Sequence, residues 1–178
     1  MLDFNGRRNA EGNTMILGLF SLETYTLLHV AISLIGIAAG FVTMFGMIAN
    51  KRLDGWTFVF LLFTVLTSLT GFAFPFERLL PSHIVGIISL VVLLIAILAR
   101  YAFGMAGSWR WIYIVTAIVA QWFNVFVLIV QTFQKVPALQ PLAPTQSEPP
   151  FQIAQGVVLA IFVVLAIAAL RRFRPQPI

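Results

Sequence analysis

The sequence predicts an all-α polytopic membrane protein: a compact bundle of five transmembrane helices, with its N-terminus outside and its C-terminus cytoplasmic. Composition is the first observation. The 178 residues are 60% hydrophobic and only 10% charged, with mean hydropathy +0.98. Soluble domains carry about 25% charged residues, so this surface is built to face lipid. The second observation is a set of five separate apolar runs, each near the roughly 20 residues that a spanning helix needs. The third is an uneven distribution of Lys and Arg between alternate loops.

Residues 1–23 read as a short N-terminal tail with an interfacial segment, 24–172 as one transmembrane domain and 173–178 as a basic tail. The run from Leu27 is too long for a cleavable signal peptide and lacks a cleavage site. The pair Arg7-Arg8 lies in a stretch unlike a twin-arginine signal, and Met15 offers a second start.

The spans are expected at about 24–48, 56–75, 83–104, 110–133 and 151–170. The first follows "MILGLFSLETYT", where Ser21 is placed to cap the helix and Glu23 to complement its dipole. Pro75 and Pro81 bracket a tight turn, after which Ser82 is the expected cap of the third helix. The longest connection, "KVPALQPLAPTQSEPP", is proline-rich, and an extended segment of that kind cannot itself cross lipid.

Seven basic residues (Lys51, Arg52, Arg100, Arg110, Arg171, Arg172, Arg174) fall on one side of this arrangement. The other side has four: Arg7, Arg8, Arg78 and Lys135. The excess marks the cytoplasmic face, and Trp56, Trp109 and Trp111 lie there as interfacial anchors. The formal charge of +5 therefore reads as topology, and no nucleic-acid partner is expected. The expected partners are the bilayer and either other membrane subunits or further copies of the chain. The expected location is a bacterial inner membrane.

Absent motifs narrow the chemistry. Without cysteine there are no thiolate ligands, disulfides or cysteine nucleophiles. The methionines are too dispersed for a copper-binding tract. Neither G-x-x-x-x-G-K-[ST], H-E-x-x-H nor G-x-S-x-G occurs, so nucleotide, zincin and serine-hydrolase readings have no foothold. No intramembrane acid lies clearly below the interface, which argues against a proton-coupled pump.

The informative residues are polar ones inside the runs. On the first span His29, Ser33, Gly36, Gly40 and Thr43 share one narrow face, and Gly36 and Gly40 make a G-x-x-x-G. Such a face lets a second helix, or a flat ligand, approach the backbone closely. On the fourth span Gln121, Asn124, Gln131 and Lys135 share a sector of about 80° at 3.6 residues per turn. Bare amides in hydrocarbon lose their hydrogen bonds, so this sector is expected to face protein, water or ligand. Gln152 and Gln155 on the fifth span, with Thr64, Ser68 and Gly71 on the second, lie in the same half of the membrane. A ligand pocket is thus expected from Ser33, Gly36, Gln121, Asn124, Gln131, Gln152 and Gln155. Interhelical hydrogen bonding among the same residues is the competing explanation.

Three function classes follow. The leading one is a small non-catalytic inner-membrane protein, alone or as a subunit of a larger complex, whose outward-facing pocket binds a lipid-like or other small molecule. The second is electron transfer through a b-type haem with His29 and His83 as axial ligands, Gly36 and Gly86 giving the ring room, and a quinone in the amide-lined pocket. Against it stands depth. Counted from the expected caps, His29 lies about 10 Å deeper than His83. The third class is a small channel or carrier that uses the fourth-span stripe as its path. Glu77 and Arg78 read as a solvated ion pair.

Overall fold

The computed structural model of the chain describes residues 15–16, 20–74 and 81–174. Two short strands, β1 (Met15–Ile16) and β2 (Phe20–Ser21), form one antiparallel pair that leads into the first helix. Five helices follow: α1 (Leu22–Ile48), α2 (Asp54–Gly71), α3 (Pro81–Ile97), α4 (Trp109–Lys135) and α5 (Pro149–Arg172). A π-helical turn, Leu98–Ala102, prolongs α3, and a 3₁₀ turn, Gln140–Leu142, lies between α4 and α5. Five of these helical segments are long and apolar enough to cross a membrane, with mean hydropathy from 1.3 in α2 to 2.8 in α5.

Ser21 caps α1 as its position requires: its side chain accepts from the Thr24 N–H at 3.2 Å, and Glu23 stands in the first turn. The third helix starts earlier than its expected cap. Pro81 is its first residue and Ser82 lies inside the first turn, because proline's fixed φ suits that position and its missing N–H costs nothing there.

α1 and α2 form an antiparallel pair whose register is set by glycine. A Cβ on Gly36 would stand 3.4 Å from Phe63 Cβ, and one on Gly40 only 2.9 Å from the Phe60 ring and 1.9 Å from Gln121 Oε1. The G-x-x-x-G is therefore a helix–helix seam into which α4 also inserts an amide. Ala39, Met44, Phe60, Leu93, Ala96, Ile114, Ala117 and Ala120 form the centre of the core, all essentially inaccessible. α5 packs on α4 and α1 and leaves Ile153, Val157, Val163 and Val164 exposed, as a lipid-facing helix must.

The end of the bundle where α2 and α4 begin is locked by charge. Arg100, on the π turn, is 1% exposed and bonds the Asp54 carboxylate, which also accepts from Arg52 Nε at 3.0 Å. The guanidinium lies over the Tyr113 ring at 5.2 Å and the Tyr101 ring at 5.6 Å. The sequence count treats Arg100 as a loop charge beside Arg110. It is instead enclosed, because the π turn swings it inward toward Asp54. Arg110 completes the lock by donating to the carbonyls of Phe173 (2.6 Å) and Leu170 (3.3 Å) at the end of α5.

The proline-rich connection is folded down rather than extended. Ala143 packs with Phe133 and Phe151, and Gln146 Nε2 donates to Val130 O at 3.2 Å. The Glu148 carboxylate accepts from Thr145 N–H, Thr145 O–H and Ser147 N–H. Desolvation is the largest single influence and pushes the Glu148 carboxyl up, but these bonds together outweigh it and hold the group below the usual glutamate range.

Candidate functional site

The register of α1 against α2 brings polar side chains to one level near the opposite end of the bundle. His29 Nδ1 meets Thr70 Oγ1 at 2.8 Å, and Tyr25 donates its hydroxyl to Thr70 O at 2.8 Å. Phe74 packs edge-on against both rings, with centroids 5.2 and 5.1 Å away. Thr70 Oγ1 in turn donates to Leu66 O at 2.7 Å. A hydroxyl has one hydrogen. With that hydrogen on Leu66 O, the bond from His29 must run from Nδ1–H to Thr70 Oγ1. In neutral His29, Nε2 is then an unprotonated acceptor, and among the described residues it has no partner.

Beside this level lies a cavity of about 740 Å³ between α1, α2, α3 and α4. His29, Ser33 and Ile37 of α1 line it, with Thr67, Ser68 and Gly71 of α2, Gly86 and Ser89 of α3, and Asn124, Gln131 and Lys135 of α4. Apolar walls come from Leu34, Val85, Phe123, Val127 and Leu128, and Phe72 and Phe74 close its upper part. From Leu22 to Ile37 the wall of α1 runs about 22 Å at 1.5 Å per residue. For comparison, half of a hydrocarbon core about 30 Å thick is about 15 Å.

Depth within the cavity can be read from the hydrogen bonds. Its floor is the level where Gln121 Nε2 donates to Ile37 O (2.9 Å) and Asn124 Nδ2 to Thr64 Oγ1 (3.0 Å). Gln131 stands two turns above Asn124, about 10 Å toward the mouth and thus level with His29. Lys135 lies one turn higher and is the only charged side chain among the described lining residues.

The pocket residues expected from sequence divide into two groups. Ser33, Asn124 and Gln131 line the cavity, joined by His29, which the sequence reading places as a haem ligand rather than a pocket residue. Gly36, Gln121, Gln152 and Gln155 lie elsewhere, each for a reason of packing. Gly36 is covered by Phe63 and Thr64. Gln121 is 1% exposed and consumed by the Ile37 carbonyl at the floor. Gln155 donates to Phe126 O (3.1 Å) in the α4–α5 seam, and Gln152 to Ser147 O (2.7 Å) in the loop. The polar ladder also ends at Asn124, because buried Gln121 and Phe60 fill the space against Gly40 beneath it.

The side chain of His83 lies outside the described residues, as do Glu77 and Arg78. The haem expectation draws on that side chain. Among the described residues no cluster of three His, Asp or Glu side chains could hold a metal ion.

Sequence reasoning passes over Thr67 and Thr70. Threonine in a helix usually returns its hydroxyl to its own backbone and so reads as inert. The available signal is their spacing with Gly71, at i, i+3 and i+4, which puts two hydroxyls and a gap on one face. No family model matches the chain, and neither a curated protein nor a solved structure does so.

Proposed function

We propose that this chain is a non-catalytic membrane protein of the bacterial inner membrane, with N-terminus outside and C-terminus in the cytoplasm, that holds one amphipathic small molecule in the cavity between α1 and α4. The observation that carries the reading is the cavity itself: about 740 Å³, apolar along its walls and polar at fixed levels. Clefts between bundle helices with a few placed polar groups are where small molecules bind. A tail packs on Leu34, Phe123, Val127 and Leu128, while hydrogen-bonding groups meet His29, Gln131 and Asn124. The exposed apolar face of α5 is left for lipid or for a neighbouring membrane subunit.

Gly71 supplies the test. A Cβ there would meet only His29 Cε1, at 3.9 Å, so a larger side chain extends into the cavity without a backbone clash. Gly71→Leu is expected to fold and to lose at least about tenfold in retained amphiphile, measured by mass spectrometry of molecules that co-purify with the chain. Equal retention by the two proteins would remove the cavity from the account. For the orientation, a reporter active only in the cytoplasm, fused after Arg174, is expected to be active. A silent reporter there reverses the topology and places the cavity in the inner leaflet.

A further inference from the structure

We infer that the polar end of the bound molecule is neutral and carries a hydroxyl group, as in a quinol or a long-chain alcohol. The inference rests on the reading of the cavity as an amphiphile site and names the chemistry of the head.

Two groups with unfilled hydrogen-bonding capacity belong to residues that line the cavity near one level. One is His29 Nε2, an acceptor in neutral His29 because Nδ1–H is committed to Thr70. The other is Thr67 Oγ1, on a residue that lines the cavity: the atom itself is fully buried and has no partner among the described residues, so a ligand meets it after a turn of the side chain about χ1. Thr67, like the buried Thr43 outside the cavity, departs from the commonest arrangement in this chain. Thr26, Ser33, Thr70, Thr116 and Thr132 each donate to the carbonyl four residues earlier, at 2.7 Å. The Thr67 hydroxyl keeps its hydrogen free.

One turn of α2 separates Thr67 from the level of Thr70, about 5 Å. A buried donor left unmade is costly, so the geometry selects a partner that fills both vacancies. A hydroxyl does so: its hydrogen goes to His29 Nε2, and an oxygen of the same head accepts from Thr67. An acyl chain offers neither bond. An ionised head at this depth is disfavoured, because Lys135 stands above and no other described lining residue is charged. The edge of Phe74 against His29, with Phe72 and Phe123 in the walls, also suits a flat ring.

The test uses the purified full-length chain in detergent micelles with four probes: a decyl-substituted benzoquinol kept reduced, its oxidised quinone, farnesol and dioleoylphosphatidylglycerol. Binding is read by equilibrium dialysis. The quinol is expected to bind about tenfold tighter than the quinone, which can accept from Thr67 but has no hydrogen for His29. Farnesol binding as well as the quinol would show that the hydroxyl suffices, and weaker binding would add the ring as a requirement. Both results support the inference.

His29→Phe and Thr67→Val are each expected to weaken the quinol about tenfold, with recovery in His29→Gln and Thr67→Ser, which restore a polar atom. Thermal unfolding of each variant separates lost binding from lost fold. Equal affinity for quinol and quinone, or full quinol binding by His29→Phe, would overturn the inference. So would a preference for phosphatidylglycerol that Lys135→Gln abolishes, although the amphiphile reading would stand. If none of the four binds and Gly71→Leu retains as much amphiphile as the unmodified chain, the amphiphile reading fails as well.

Discussion

Asp54→Ala is expected to destabilise the bundle by about 2–3 kcal/mol, while Arg100→Met costs less than about 1 kcal/mol. The asymmetry follows from which partner is buried. Removing the carboxylate leaves a guanidinium that is 1% exposed with only Met105 Sδ and two tyrosine rings nearby. Breaking a buried pair in this way costs about 3–5 kcal/mol. The figure is reduced here because the Asp54 side chain is 60% exposed and its loss is partly offset by solvent. Removing the arginine instead leaves a solvated carboxylate still bonded to Arg52, and methionine fills much of the vacated volume. Unfolding in mixed micelles, followed by circular dichroism, orders the variants. The opposite order would mean that the Arg100 cluster is not the lock at that end.

Gly40→Ala is expected to be far more damaging than Gly36→Ala, although the two glycines are one turn apart. A methyl group at Gly36 meets Phe63 Cβ and the Thr64 backbone at 3.4 Å, which a few tenths of an ångström relieves. At Gly40 it falls 1.9 Å from the Gln121 amide, a side chain buried between α1 and α4 with nowhere to withdraw. Displacing that amide breaks its bond to Ile37 O and adds overpacking, together about 3 kcal/mol. Gly36→Ala is expected within about 1 kcal/mol of the unmodified chain. Thermal melts of the two variants decide this. Comparable losses at both positions would mean that Gln121 does not occupy the seam.

The five helices were legible because lipid imposes a length and a composition that few other environments require. Ser21 was legible too, since a cap needs only local geometry. Burial of Arg100 was not: a charge at the end of an apolar run looks like a loop residue, and its partner Asp54 lies 46 residues earlier in the chain. The stripe on α4 showed a polar sector but not what each amide would meet. Gln121 and Asn124 are held by α1 and α2, whereas Gln131, on the same face, is left to the cavity. Gln152 and Gln155 shared a half of the membrane with that stripe, yet α5 packs on the other side of α4. Periodicity assigns a residue to a face; the neighbour on that face is a tertiary fact.

An amphiphile is expected between α1, α2 and α4 rather than only around the bundle. Photocrosslinking tests it most directly: a diazirine-tailed farnesol analogue is activated on the chain in its own membrane, and the labelled peptides are mapped by mass spectrometry. Crosslinks are expected to concentrate on the cavity walls, at Leu34, Val127 and Leu128, and to be competed by excess farnesol. Labelling spread evenly over Ile153, Val157 and Val164 on the open face of α5, with no competition at the cavity walls, would contradict it.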